Sequence, residues 1–195
     1  TLVNLSAGTY TVTVEDFNGC TASSSVVLTE PAALSNFFTT DSVTCNGGSD
    51  GSVYANVSGG TAPYDYGWLS PISSDSSSAH NLIANTNYQV NISDANSCIL
   101  LSANVQVLQP DPISLTTILT TPTCYGINDG GLIINSVSGG TGGYTFLWSD
   151  GQTGTTMINL YGDSVYSCVV TDAIGCIDSS FSETLSQPDL LVADI

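Results

Sequence analysis

Tyr88-Gln89-Val90-Asn91-Ile92-Ser93-Asp94-Ala95-Asn96-Ser97-Cys98 is the stretch on which the fold turns. Tyr88, Val90 and Ile92 alternate with Gln89, Asn91 and Ser93, the period-two pattern of a strand with one buried face. Asp94-Ala95-Asn96-Ser97 then supplies turn chemistry. The same phrase stands 78 residues earlier, from Tyr10 through Asp16 to Cys20, and 78 residues later, from Tyr166 through Asp172 to Cys176. A fixed period of this length marks one folding unit used repeatedly.

The period runs through the rest of the chain. Cys45 and Cys124 are 79 apart, and Asp50-Gly51-Ser52 answers Asp129-Gly130-Gly131. Gly59-Gly60-Thr61, followed by Tyr64 and Trp68, answers Gly139-Gly140-Thr141, followed by Tyr144 and Trp148. Glu30-Pro31, Gln109-Pro110 and Gln187-Pro188 mark the joints. This divides the chain into the C-terminal half of a repeat (1–31), two complete repeats (32–110 and 111–188) and the first strand of another (189–195). Within 32–110, Ala33–Thr40, Ser52–Val57, Tyr64–Leu69, Asn87–Ser93 and Ile99–Leu108 have strand character, and no segment carries a helical stripe. Short strands with turn signals between them predict an all-β chain: tandem Ig-like antiparallel β-sandwich repeats of about 78 residues, with about seven strands each. Short proline joints favour a semi-rigid rod.

Composition excludes several functions. The 195 residues hold no lysine or arginine, and 17 acidic residues give a formal charge of −17. Without cations the chain cannot displace counterions from a phosphate backbone, so nucleic acid is excluded as a partner. An anionic membrane surface repels it, and no apolar run reaches the ~18–20 residues of a membrane helix, so no direct membrane insertion is expected. Lysine chemistry, including Lys–Asn isopeptide cross-links, is impossible. Lysine is also the residue that most often blunts edge strands. Its absence leaves edges free to pair into a homo-oligomeric filament or bundle, with salt or divalent ions weakening the charge repulsion.

Small extracellular domains often add disulfides to a limited core. Cys20, Cys45, Cys98, Cys124 and Cys176 are the candidates. Pairing within repeats would join Cys45–Cys98 and Cys124–Cys176, each closing a loop worth ~3–4 kcal/mol. Six cysteines allow 15 full pairings, however. In a strict seven-strand topology the two cysteines of one repeat also lie at opposite ends of the sandwich, so either the strand count or this pairing must give way. Cys168 replaces Val12 and Val90 in an inward register and reads as a buried thiol. Zinc finds no close Cys-x-x-Cys spacing and a single histidine.

Asp16, Asp94 and Asp172 each precede a turn and read first as Asx turns. With Asp50 and Asp129 they are also the candidates for Ca²⁺, although none lies in a dense calcium-loop motif, so no metal site is firm and no other cofactor is expected. Trp68 and Trp148, with Tyr64 and Tyr144 beside them, read as core residues; their alternative is an aromatic platform for glycans. The lone His80 lies near Asp75, Ser76, Ser77 and Ser78 in a serine-rich stretch that reads as loop and gives no geometry for a catalytic triad. A repeating chain without a unique site is expected to be no enzyme. Asn4, Asn56 and Asn91 stand in N-glycosylation sequons.

Cys45-Asn46-Gly47-Gly48-Ser49-Asp50-Gly51-Ser52, Gly59-Gly60-Thr61-Ala62-Pro63-Tyr64, Asn4-Leu5-Ser6-Ala7-Gly8-Thr9-Tyr10 and Asp16-Phe17-Asn18-Gly19-Cys20 resemble the SprB repeat. Departures are local: Ser97, Gly142-Gly143 and Ile174. The resemblance implies a non-enzymatic, extracellular repeat of very large cell-surface adhesins of Bacteroidota, including gliding-motility adhesins exported by type IX secretion. Asp41-Ser42-Val43 and Asp163-Ser164-Val165 resemble the Asp-Ser/Thr-apolar motif that Bacteroidota modify, making Ser42 and Ser164 candidate O-glycosylation sites. The expected function is a structural repeat segment that extends or assembles a surface fibre, with neighbouring repeats of the same chain as partners. The alternative is a weak multivalent module binding glycans or surfaces.

Overall fold

The computed structural model describes residues 2–193. It is all-β, with fourteen strands among the described residues: β1 Gly8–Glu15, β2 Thr21–Leu28, β3 Ser35–Asp41, β4 Gly51–Ser58, β5 Tyr64–Trp68, β6 Ser78–Leu82, β7 Val90–Asp94, β8 Ile99–Leu101, β9 Ser114–Thr120, β10 Gly130–Ser138, β11 Thr145–Trp148, β12 Thr156–Leu160, β13 Ser164–Thr171 and β14 Ile177–Leu185. β1 and β2 form an antiparallel hairpin. The second repeat contributes two three-stranded sheets, β3-β4-β6 and β5-β7-β8. The third repeats this plan as β9-β10-β12 and β11-β13-β14.

The third repeat shows why the two sheets hold together. Leu132 and Ile134 of β10 and Met157 and Leu160 of β12 come from one sheet. Trp148 of β11, Cys168 and Val170 of β13 and Leu185 of β14 come from the other. All eight are buried in one cluster, so alternate residues of facing sheets meet in a sandwich core. The hairpin bears the same inward pattern, yet Val12 and Val14 are exposed there, whereas Cys168 and Val170 at the matching positions are buried.

Each complete repeat has six strands, not the seven expected. β6 lies in the serine-rich stretch expected to be a loop, and neither it nor its counterpart β12 shows strand periodicity in the sequence. Asn81 and Asn159 sit at positive φ (57° and 60°) inside these strands. That kink breaks the alternation: the buried residues are Ala79 and Leu82, and Met157 and Leu160, three apart instead of two. The run expected over Ile99–Leu108 is a strand only to Leu101. There the Ser102 hydroxyl accepts the Val90 N–H, and pairing resumes only at an isolated Tyr88–Val105 bridge.

Contacts group the chain into two compact units. One comprises Thr1–Thr39, Tyr54–Ala79 and Asn87–Val105; the other comprises Thr40–Val53, His80–Thr86 and Gln106–Ile195. Residues 189–193 carry no strand assignment; Thr1, Asp194 and Ile195 lie outside the described residues, and with the last two lies the end of the expected final strand.

Candidate functional site: the cysteine-bridged joint

The loop before each second strand is built around an aspartate. Asp50 accepts the Thr44 N–H at 2.9 Å and the Thr44 hydroxyl. Asp129 accepts the same two groups of Thr123, at 2.9 and 2.6 Å. The joint residues clamp this loop. The Gln109 side-chain oxygen accepts the Gly47 N–H, and the Gln187 oxygen accepts the Gly126 N–H. The Asn46 amide donates to the Pro110 carbonyl. The repeated Gln-Pro is therefore a loop clamp as well as a joint, which its spacing alone did not reveal.

A second lock closes the far end of the sandwich. Asp172 Oδ1 accepts the N–H groups of Ile174 and Cys176, and Oδ2 accepts the N–H and hydroxyl of Thr141. Asp94 does the same with Asn96, Cys98 and the Thr61 N–H. Asp16 makes the local half of this lock with Asn18 and Cys20. The Gly-Gly-Thr turn fits beneath. Gly139 has φ +79°, and a Cβ there would lie 2.0 Å from the Pro112 carbonyl oxygen. Gly140 donates its N–H to the Asp111 carbonyl. Only glycine lets the chain leading into the repeat pass so close to this turn.

These two locks decide the disulfide. Cys124 lies beside the start of β10 and Cys176 beside the turn that follows its end. Nine residues of strand separate such ends by about 30 Å, beyond any disulfide. Pairing within a repeat is thus corrected: Cys45 of the second repeat bonds Cys176 of the third, with Cα atoms 5.5 Å apart. Cys20, Cys98 and Cys124 are free and exposed, and Cys168 is free and buried. Burial pushes the Cys168 thiol up, and the Asp94 carboxylate does the same to Cys98. The bridge and the joint line a concavity containing Asn46, Pro110, Asp111, Pro112 and Ile113.

The five candidate calcium aspartates are distributed between these two kinds of lock and not gathered, and no group of three or more His, Cys, Asp or Glu suited to a metal occurs among the described residues. Four of the carboxyls are held below the ordinary carboxylate value. At Asp94 the Cys98 N–H is the main cause. At Asp172 burial opposes the shift, but bonds from Thr141 and Cys176 outweigh it. At Asp50 and Asp129 the threonine hydroxyls dominate. Lowered folded-state values mean that the stabilisation is complete above the unfolded value of about 4 and is lost as pH falls through the folded values. Thermal midpoints should hold from pH 7 to 5 and fall below about pH 4. In Asp94→Asn/Asp172→Asn the midpoint should be lower at pH 7 and the acid decline shallower, as circular dichroism would read; parallel acid limbs would refute the locks.

Trp68 and Trp148 are buried, 5% and 2% exposed. Their indole N–H groups donate to the Ser76 and Gly154 carbonyls. Neither offers a face to a sugar ring. Tyr64 and Tyr144 are half-buried, and their hydroxyls donate to the Gly59 and Gly139 carbonyls. His80 meets Ser52 across strands, Oγ to Nδ1 2.9 Å, and not through the nearby serine cluster. Ser52 is buried. Ser42 is exposed after β3, whereas Ser164 is half-buried at the start of β13.

Fold and joint together define a tandem all-β repeat chain. The SprB repeat family model matches residues 38–71 and 116–153, the front half of each complete repeat. These two matches place both complete repeats in the SprB repeat family, a family of extracellular surface proteins. No curated protein matches it. No helix among the described residues is long and apolar enough to cross a membrane.

Proposed function

We propose that this chain is a structural repeat segment of a long extracellular adhesin or surface filament of Bacteroidota, extending or assembling a fibre used in adhesion or gliding. The observation that carries the reading is the Cys45–Cys176 bridge, which ties one repeat covalently to the next. A joint of this kind resists being pulled apart, which suits a load-bearing array and adds nothing to catalysis. Neighbouring repeats are its partners, and pairing of lysine-free edges between copies assembles the fibre. Calcium acts by diffuse screening of the −17 chain.

Small-angle scattering of the chain should give an elongated profile, and a glycan panel should show no binding. Compact scattering, or glycan binding lost in Tyr64→Phe with the fold intact, would replace this reading with the weak multivalent binding module.

A further inference from the structure

The Cys45–Cys176 bridge has an unpaired counterpart. Cys124 stands in the Cys45 register, free and exposed, on a loop held by the same bonds: Thr123 to Asp129 and Gly126 to Gln187. Around it lies a second concavity, lined by Cys124, Tyr125, Pro188, Asp189, Leu190 and Leu191. Position by position these repeat Cys45, Asn46, Pro110, Asp111, Pro112 and Ile113 of the first. What the first concavity adds comes from the following repeat: Gly140, Cys176, Ile177 and Asp178. Ile113 packs against the core of that repeat, whereas Leu191, in the same register, is 94% exposed. One site is complete, and the other lacks the counterparts of Gly140, Cys176, Ile177 and Asp178.

We propose that the surface around Cys124 is a docking and cross-linking site for one further repeat of this kind, continuing the chain after Pro188. Leu191 enters that repeat's core as Ile113 enters the third. The partner's cysteine in the Cys176 register then bonds Cys124. With a glutathione-type disulfide as oxidant, one cysteine thiolate attacks it and expels a glutathione thiolate. The second cysteine thiolate attacks the mixed disulfide and expels the other. Two cysteine thiols are oxidised, one glutathione disulfide is reduced to two glutathione thiols, and these take up the two protons. Each front-half cysteine is thereby joined to the back-half cysteine of the next repeat, giving a ladder of bridges along the array. The inference deepens the structural-repeat reading and rests on it for the adjacency of repeats.

The test is the full chain with a second copy of residues 111–188 inserted after Pro188, oxidised with glutathione disulfide. The chain has no trypsin site, so an aspartate-directed protease is used before mass-spectrometric disulfide mapping. Cys45–Cys176 should be found intact, with Cys124 joined to the inserted copy's equivalent of Cys176. Alkylation of Cys124 should fall about tenfold relative to the unextended chain, as for a thiol withdrawn into a disulfide. Cys124 remaining as alkylatable as before, while Cys45–Cys176 is bridged, would overturn the proposal. So would a bridge from Cys124 to a second molecule on a non-reducing gel, or absence of the Cys45–Cys176 prototype. An elongated scattering profile with Cys124 unbridged would leave the structural reading standing and sink only this inference.

Discussion

Replacing Cys45 and Cys176 together by serine should lower folding stability by about 5 kcal/mol, the chain-entropy value for a loop closed across 131 residues. The bridge closes a loop across 131 residues, so its loss frees an unusually long denatured loop. The double variant is the cleaner form, because it leaves no unpaired thiol at the joint. Denaturant unfolding of the oxidised protein beside the variant measures the difference, and reduction of the unmodified chain should reproduce it. The slope of the transition should also change, because the cross-linked denatured state is more compact. A difference under about 1 kcal/mol would mean that native contacts at the joint relax when the bridge forms.

Trp148→Ala should cost about 3–5 kcal/mol, the usual range for deleting a buried tryptophan. Trp148 is 2% exposed, and its ring meets Phe181 edge-on with centroids 6.1 Å apart. Truncation leaves a cavity between the two sheets and strips the Gly154 carbonyl of its indole donor. Trp148→Phe should cost less, since it restores part of the volume but not the hydrogen bond. Thermal unfolding of both variants checks the order. A Trp148→Ala variant of unchanged stability that instead lost glycan binding would make the residue a sugar platform, contrary to its burial.

Legibility differed from element to element. β7 is legible because every second residue is buried, β13 because Cys168 and Val170 are buried in the same alternation, and the Gly-Gly-Thr turns because their conformation admits little but glycine. β6 and β12 are not, because a left-handed asparagine inside each shifts the buried positions out of period two. Alternation alone places the tryptophans in the core, and their burial agrees. Local sequence predicts Asx turns at the turn aspartates, but the bonds of Asp94 to Thr61 and of Asp172 to Thr141 join segments more than thirty residues apart, and local spacing carries no trace of that. The clamp role of Gln109 and Gln187 was visible only as a recurring Gln-Pro.

Repetition, strand character and family followed from the amino-acid order alone, because periodic burial and turn chemistry are local properties written into neighbouring residues. The partner of each cysteine did not. Two residues of one repeat, close by count, are held apart by the length of a strand, while two residues of successive repeats are brought together at the joint. Which thiols meet depends on where strand ends lie in space, and only the folded chain settles that.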